Sequence, residues 1–483
     1  MYDLVIIGGG PAGTTAALRA RELGATVALV EKGTLGGTCT NDGCVPTRVL
    51  AKAARLLRDV EQFEKYGLLL DCKPRVDFVE VLKRTQQVVY EVHEKKQLLD
   101  HLVASGVDVF SGVGAASFRD AHTLTTEDGH TIEGDKFVIC AGGSARRLPF
   151  PGSELALTHS DVWTLDALPE SVAIIGSGAT GCQLASVLQS FGAQVTLMDI
   201  ADRILLSEDV HVAELVAQEF EKEGMTILTG IEGVARIERG TEKVLNLVYK
   251  QAGDEKTLPV SAVILAVGWP GNADSLNIAA AGIEANRTYI KVNDQLQTTA
   301  PNIYAAGDIT GRLMLVQTAA YQARMAVENA LLGDARPVEE RLVPHGGFTD
   351  PEYGGVGLTE AQARENYDCL VATVPYADID RAVIDDRREG FCKLIVDRES
   401  HRVLGAHVVG EQAVEIVQMV AAGMAGGMTV EQLADLELAY PTFTAIVGIA
   451  ARQLVRELGS VKVVQEWREL AMVRGSEWER LDR

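Results

Sequence analysis

Short apolar runs punctuated by glycine recur along the chain and set its plan. Asp3-Leu4-Val5-Ile6-Ile7 reads as a buried strand, Gly8-Gly9-Gly10-Pro11-Ala12-Gly13 as a turn, and Thr14 to Leu23 as a helix stopped by Gly24. Thr26 to Val30 is the next strand, closing on the acid Glu31. The same succession returns as Val172 to Ile175, Gly176-Ser177-Gly178-Ala179-Thr180-Gly181, a helix to Phe191, Gly192, and a strand Gln194 to Met198 closing on Asp199. Apolar strands without alternation belong to a parallel sheet covered on both faces. Placed between strand and helix, G-x-G-x-x-G becomes a dinucleotide site: its glycines let a pyrophosphate approach the helix N-terminus, and the acid binds ribose hydroxyls. Gly8, Gly10, Gly13 and Glu31 form the first candidate site, Gly176, Gly178, Gly181 and Asp199 the second. Two sites imply two dinucleotides.

Phe137 to Ser144 is a strand entering a small-residue turn at Gly142, suited to a crossing between domains. Asn302 to Asp308 is another strand, ending in Gly307-Asp308, where the carboxylate either meets a sugar-like chain or caps a helix. From about Pro344 the pattern turns α+β, with strands Phe391 to Asp397 and Val403 to Val409 and helices Ala413 to Ala425 and Val430 to Leu436, the last capped by Thr429. Ser460 to Arg483 is a charged segment bearing Trp467 and Trp478, a docked helix or a frayed tail. Ser171 to Met198 carries no charge, yet its glycines break it into strand, turn, helix and strand, so it is not a membrane span.

At 483 residues, 47% hydrophobic and 23% charged, the chain has the make-up of a soluble globular protein of about three or four domains. A formal charge of −22 argues against a nucleic-acid or anionic-membrane partner, both of which need a basic face. Seven scattered cysteines do not make a secreted disulfide scaffold, and Met1-Tyr2-Asp3 leads straight into a strand without a signal-like segment, so a reducing cytoplasm is expected. Cys72, Cys140, Cys182, Cys369 and Cys392 have no ligand-like spacing and read as small buried hydrophobes, with no metal site.

Cys39 and Cys44 are different. They lie in Gly36-Gly37-Thr38-Cys39-Thr40-Asn41-Asp42-Gly43-Cys44-Val45-Pro46-Thr47-Arg48, just after the first fingerprint. In a regular helix residues five apart have Cα atoms roughly 8–9 Å apart. A disulfide tolerates about 7 Å. If the two join, the turn is distorted, which Gly43 and Pro46 permit. A strained, easily reduced disulfide is a catalytic tool rather than a staple.

In this order the features resemble the FAD-dependent pyridine nucleotide-disulfide oxidoreductases, the group of glutathione reductase, dihydrolipoamide dehydrogenase and mercuric reductase. The likeness covers residues 1 to about 455 and rests on both fingerprints, GGTCTNDGCVPT, IYAAGD and FTDPEYGGVGLTEAQA. It implies an α/β fold with two Rossmann-like domains, for FAD and NAD, and a C-terminal α+β dimerisation domain. The implied parts are residues 1–150 and 271–335 for FAD, 151–270 for NAD(P), 340–459 for dimerisation and 460–483 as a tail. The first fingerprint, Thr38, Gly142, Gly307 and Asp308 would hold FAD, with Asp308 on its ribityl chain; the second, with Gln183, would hold the nicotinamide cofactor. Electrons would pass from nicotinamide to flavin to disulfide, with Cys44 the thiolate beside the flavin and Cys39 the interchange thiol. Asp199 would repel a 2′-phosphate and so favours NADH over NADPH, with Arg203 working against that preference.

The chain departs from the family at several positions. Where disulfide-reducing members carry His-Pro and a later Glu, it reads Tyr440-Pro441-Thr442-Phe443-Thr444-Ala445. A phenol is a donor and a poor base at neutral pH, so Tyr440 is either a weakened catalytic group or a plain interface tyrosine. The family lysine after the second cysteine is Arg48 and its glutamate partner is Gln183, which keeps a cation, drops the anion and makes the flavin edge more positive. The usual Gly-Arg after the NAD domain reads Gly268-Trp269-Pro270. No cysteine follows Cys392, unlike mercuric reductases with their C-terminal pair. The leading reading is a homodimeric NADH-dependent FAD enzyme reducing a small electron acceptor through Cys39 and Cys44, mercuric-reductase-like or dihydrolipoamide-dehydrogenase-like, with Tyr440 facing Cys39 across the interface. The alternatives are a diaphorase or NADH oxidase using flavin directly on quinone, metal ion or oxygen, and a non-catalytic FAD-binding redox sensor.

Overall fold

The computed structural model describes residues 1–460 other than 73, 242 and 341. Trp467, Trp478 and the rest of the tail lie outside the described residues.

The N-terminal apolar runs build a seven-stranded sheet from β1 (Tyr2–Ile7), β2 (Val27–Glu31), β3 (Val107–Ser111), β4 (Ala116–Asp120), β5 (Thr123–Thr126), β6 (Thr131–Ile139) and the late strand Ile303–Ala305. β3, β2, β1 and β6 are parallel neighbours, and β5 and β4 extend β6 antiparallel. Leu4, Val5 and Ile6 are fully buried, as a strand covered on both faces requires. Register decides where the site lies: Ile7 pairs with Ile139 and Ile139 with Ala305, so three strands end at one level. The turn after Gly8, the crossing at Cys140 to Gly142 and Gly307-Asp308 therefore meet at the carboxyl edge of the sheet. Between β1 and β2, α1 (Pro11–Glu22) starts ahead of the expected Thr14, because proline costs a first turn nothing: its missing N–H would be unpaired there.

The second unit repeats the first with strand Ser171–Ile175, helix Ala179–Ser190 and strand Gln194–Met198. These strands are central in a five-stranded parallel sheet completed by Thr226–Leu228, Ala262–Leu265 and Leu157–Thr158. Its charge-free run is core; among the described residues no helix is long and apolar enough to cross a membrane.

The C-terminal part is an antiparallel sheet in the order His345–Gly347, Tyr353–Gly357, Val403–Val409, Phe391–Asp397, Cys369–Pro375, backed by helices Ala413–Ala425 and Ala445–Leu458. The helix begun at Val430 ends at Ala434, two residues early, because its last turn tightens to a Leu436 N–H to Leu433 carbonyl bond. Thr429 caps it in a box with Gln432. Four of the five isolated cysteines are buried, but Cys72 is exposed, in a loop whose neighbour Leu69 is also in solvent.

α2 (Gly37–Asn41), α3 (Cys44–Val60) and α4 (Phe78–Lys96) carry the cysteine segment and its cover. Leu50 of α3 and Phe78 and Leu82 of α4 share one core with Leu184, Val187 and Leu188 of the second unit and with Tyr353 of the C-terminal sheet. All three parts of the chain thus converge on α4 and on α3, the helix that begins at Cys44.

Candidate active site

In both fingerprints the three glycines do different work. A Cβ on Gly8, at φ +103°, would lie 2.3 Å from the Cys140 carbonyl oxygen, and one on Gly13 would lie 1.7 Å from the Gly8 oxygen. Gly176 and Gly181 repeat these limits, at 2.3 Å from Ala266 O and 1.8 Å from Gly176 O. The middle glycines are open: a Cβ on Gly178 would meet nothing within 4 Å, and one on Gly10 only Gly37 Cα at 3.6 Å. Neither helix has a side-chain cap or an acid in its first turn. Their leading N–H groups are thus left for an anion. The acids close each loop: Glu31 accepts from Gly9 N–H at 2.6 Å and Gly33 N–H at 2.8 Å. Asp199 accepts from Ser177 N–H at 2.6 Å, the Ser177 hydroxyl at 2.7 Å and Ala201 N–H at 3.0 Å. This is a cradle fit for two pyrophosphate-bearing cofactors.

The cysteine segment sits directly on the first cradle. Gly36 N–H donates to Gly9 O at 2.9 Å, and Gly37, at φ +59°, approaches so closely that a Cβ would be 2.8 Å from Gly10 Cα. No continuous helix joins the cysteines: α2 stops at Asn41 and α3 begins at Cys44, with Gly43 between them at φ −136°, ψ −101°. Thr38 O accepts from Asp42 N–H at 2.8 Å, closing α2. The break sets the two thiols beside each other, and their acidities part. Interaction with the Cys39 thiol lowers Cys44, whose residue is exposed, to about 7 against the cost of desolvation, helped by its own backbone N–H at the start of α3 and by the Lys96 cation. Cys39, the partner in that interaction and half-buried, is pushed well up. Asp308 acts on both thiols from the sheet edge, and burial raises its own carboxyl. The cap position of the turn Asp308–Thr310 is Gly307, so Asp308 is not its capping residue. Gly307 N–H is held by Gln322 Oε1 at 2.7 Å. Gly142, at φ +65°, accepts from Asn272 N–H at 3.0 Å where the chain crosses between units.

Residues 2–323 match the family described as pyridine nucleotide-disulphide oxidoreductase, and residues 343–451 match its dimerisation domain. The chain belongs to the pyridine nucleotide-disulphide oxidoreductase family. It is 31% identical to a mercuric reductase of Staphylococcus aureus over 93% of this chain and 82% of that one. It is equally identical to a dihydrolipoyl dehydrogenase of Bacillus subtilis over 91% and 96%. Among solved structures, the HOCl-induced flavoprotein disulfide reductase RclA from Escherichia coli superposes with a TM-score of 0.81 at 31% identity, covering 93% of this chain and 99% of that one. LpdA from Mycobacterium tuberculosis gives 0.85 at 28%, with the same coverage. The fold is that of the flavoprotein disulfide reductases, the family's cofactors are FAD and NAD(P)H, and the chain is an oxidoreductase of that class.

Against the family pattern, the structure corrects one expectation and sharpens others. Arg48 does not lack an anion. Its guanidinium lies 3.8 Å from Glu352, which is 3% exposed, and 3.9 Å from the centre of the Phe348 ring. Glu352 comes from the C-terminal domain and is shared, since Arg55 holds the same oxygen at 3.0 Å. Gln183 is occupied in placing that ring: its Oε1 accepts from Phe348 N–H at 3.2 Å and its Nε2 donates to Ala179 O at 2.9 Å. Arg203 points away from Asp199 and donates to the carbonyls of Leu205, Leu206 and Glu208 at 2.9–3.0 Å. Tyr440 is exposed and donates to Asp380 Oδ2 at 2.6 Å, on the C-terminal domain and apart from this chain's own cysteines.

Two groups beside the cysteines escaped the sequence reading. From the end of α4, Lys96 Nζ donates to Thr40 Oγ1 at 2.9 Å, and His93 Nε2 lies 2.5 Å from Asn41 Oδ1. These bonds strap α2 at the two residues that follow Cys39. Nothing in the α4 sequence marks them, since only the fold lays α4 across α2. Removing the cation by Lys96→Met is expected to raise the Cys44 thiol by roughly half a pH unit, because an exposed charge is partly screened. Thiolate grows as pH rises through the thiol pKa. The variant should therefore alkylate about threefold slower near pH 6.5, and match the parent well above both pKa values. The pH profile of iodoacetamide labelling, read by peptide fragmentation, checks this.

Proposed function

We propose that this chain is an NADH-dependent FAD enzyme that delivers electrons through Cys44 and Cys39 to a small thiophilic acceptor, a metal ion in the first place. The observation that carries the reading is the thiol pair itself, held in contact by the break between α2 and α3 and seated on the first fingerprint. When bound, FAD supplies two-electron exchange between nicotinamide and sulfur. Gly8, Gly10, Gly13, Glu31, Thr38, Gly142, Gly307 and Asp308 are proposed to hold it, and Gly176, Gly178, Gly181, Gln183 and Asp199 to serve the nicotinamide side.

In the reduced pair Cys44 is the thiolate and Cys39 keeps the proton. A disulfide substrate needs Cys39 freed by a base and its own leaving sulfur protonated. Tyr440 can donate to a leaving sulfur, but neither it nor Ala445 supplies the base at neutral pH. A thiophilic cation displaces the proton directly, since metal coordination deprotonates a thiol. The S–S bond then forms, the Cys39 proton goes to water, and two electrons pass to the acceptor, together or singly to two ions. The similarity to mercuric reductase and to RclA, of which a Cu(II) complex is solved, supports this class. The dimerisation domain supports a homodimer, and Tyr440 is proposed to reach the redox pair across it. Free thiols and an acidic surface suit a cytoplasmic enzyme.

The test is NADH consumption with Cu(II), Hg(II), lipoamide, glutathione disulfide, a quinone and oxygen. The expected order puts a metal ion first; turnover fastest with lipoamide or glutathione disulfide would overturn the reading. With Asp199 at the end of its strand and Arg203 committed to the carbonyls of its own loop, NADH is the proposed donor. Asp199→Ser should shift the NADH to NADPH ratio of kcat/KM toward NADPH by roughly tenfold, the cost of one charge against a phosphate. An unchanged ratio would remove Asp199 from that role.

A further inference from the structure

Asp42 stands between the two cysteines, in the break itself, and its side chain is bound to the second unit. Its Oδ1 accepts from Trp163 Nε1–H at 2.9 Å, its Oδ2 accepts from the Ser160 hydroxyl at 2.5 Å, and His159 Nε2 lies 3.2 Å from the same oxygen. His159 is 4% exposed, and its ring centre lies 4.6 Å from that of Trp269, the residue standing where the family carries arginine. Burial alone would raise the Asp42 carboxyl, but the donors from His159, Ser160 and Trp163 outweigh it and hold the group below the ordinary carboxylate range. One departure from the family pattern, Trp269, thus bears on the aspartate between the redox cysteines through a single histidine.

We propose that Asp42 and His159 are a positioning pair that fastens the redox segment to the second unit and holds open the break between its two helices. The need is geometric. Were α2 and α3 to join as one helix, the cysteine Cα atoms would stand roughly 8–9 Å apart, beyond disulfide reach. Asp42, at φ −144°, and Gly43 are the residues that prevent it, and the Asp42 side chain is the anchor. The tether therefore favours the disulfide over the dithiol and keeps Cys39 in place as the donor to Cys44. This rests on the reading of the pair as redox-active.

The experiment uses the holoprotein in glutathione redox buffers, with the thiol state read by alkylation and mass spectrometry, beside the pH profile of Cys44 alkylation. Cys39, Asp308 and Lys96 act on Cys44, and His159 acts on Asp42; only the last pair is altered. Asp42→Ala, which loses the Ser160 and Trp163 bonds as well as His159, is expected to move the dithiol to disulfide ratio about tenfold toward the dithiol and to raise the Cys44 midpoint by roughly one pH unit, and His159→Leu to move the ratio about threefold and the midpoint by roughly half a unit in the same directions. His159→Gln, which keeps a donor toward Asp42, should restore parental values. His159→Leu with full FAD content and parental values in both measurements would overturn the proposal. A parent protein whose cysteines never form a disulfide would overturn the redox reading as well, which separates the two failures.

Discussion

Cys39→Ser is expected to lower metal-dependent NADH oxidation by roughly 10²-fold or more, as removal of a nucleophile does in other enzymes, while FAD content and reduction of the flavin by NADH persist. The separation follows from the layout. The fingerprint turns, Glu31 and Asp199 lie outside the cysteine segment, so both cofactors keep their cradles when one sulfur becomes oxygen. What is lost is the second sulfur of the disulfide and the donor that holds Cys44 at about 7. A serine hydroxyl retains a weaker hydrogen bond but cannot form the S–S bond. Turnover that survives the substitution would show electrons leaving the flavin directly, the diaphorase behaviour that the same cofactor sites permit.

The second large effect is expected at the third glycine of each fingerprint. Gly13→Ala places a methyl 1.7 Å from the Gly8 carbonyl oxygen, a contact with backbone that no side-chain rotation relieves. α1 must move away from β1, at a cost of about 3 kcal/mol for overpacking, and the turn that would carry a pyrophosphate moves with it. The purified variant should be depleted in FAD and unfold at lower temperature. Gly181→Ala repeats the clash at 1.8 Å in the second unit. Because the FAD cradle is untouched there, that variant should retain FAD while its KM for NADH rises about tenfold. Flavin absorbance per chain and NADH kinetics read the contrast. Equal FAD loss in both would contradict the assignment of one cradle to each cofactor.

These two sites were legible in the sequence because their causes are local. A tight turn, an open middle glycine and a close helix contact each need a missing Cβ within six residues, and the flanking strands show their burial by composition alone. The cysteine segment was equally readable, since Gly43 and Pro46 announce a break before any coordinates exist. What the sequence hid lies in side chains whose partners come from other parts of the chain. Glu352, shared with Arg55, comes within 3.8 Å of Arg48, and nothing near Arg48 in the sequence predicts that a C-terminal acid would reach it. Arg203 looked free to oppose Asp199 until its guanidinium was seen filling the carbonyls of its own loop. Lys96 and His159 reach the cysteine segment, at Thr40 and Asp42, only through the docking of α4 and of the second unit. Cys72 failed the burial expectation for a related reason: cysteine composition does not reveal a loop that no element covers.

The central claim, that electrons are stored on Cys39 and Cys44 on their way to the acceptor, is tested most directly by anaerobic titration of the oxidised holoprotein with NADH while flavin absorbance and free thiols are both counted. The expected result is uptake of two electrons for the flavin and two more for the cysteine pair, with two new thiols per chain and the second pair of electrons absent in Cys39→Ser. Uptake that stops at the flavin, with no new thiols in the parent protein, would contradict it.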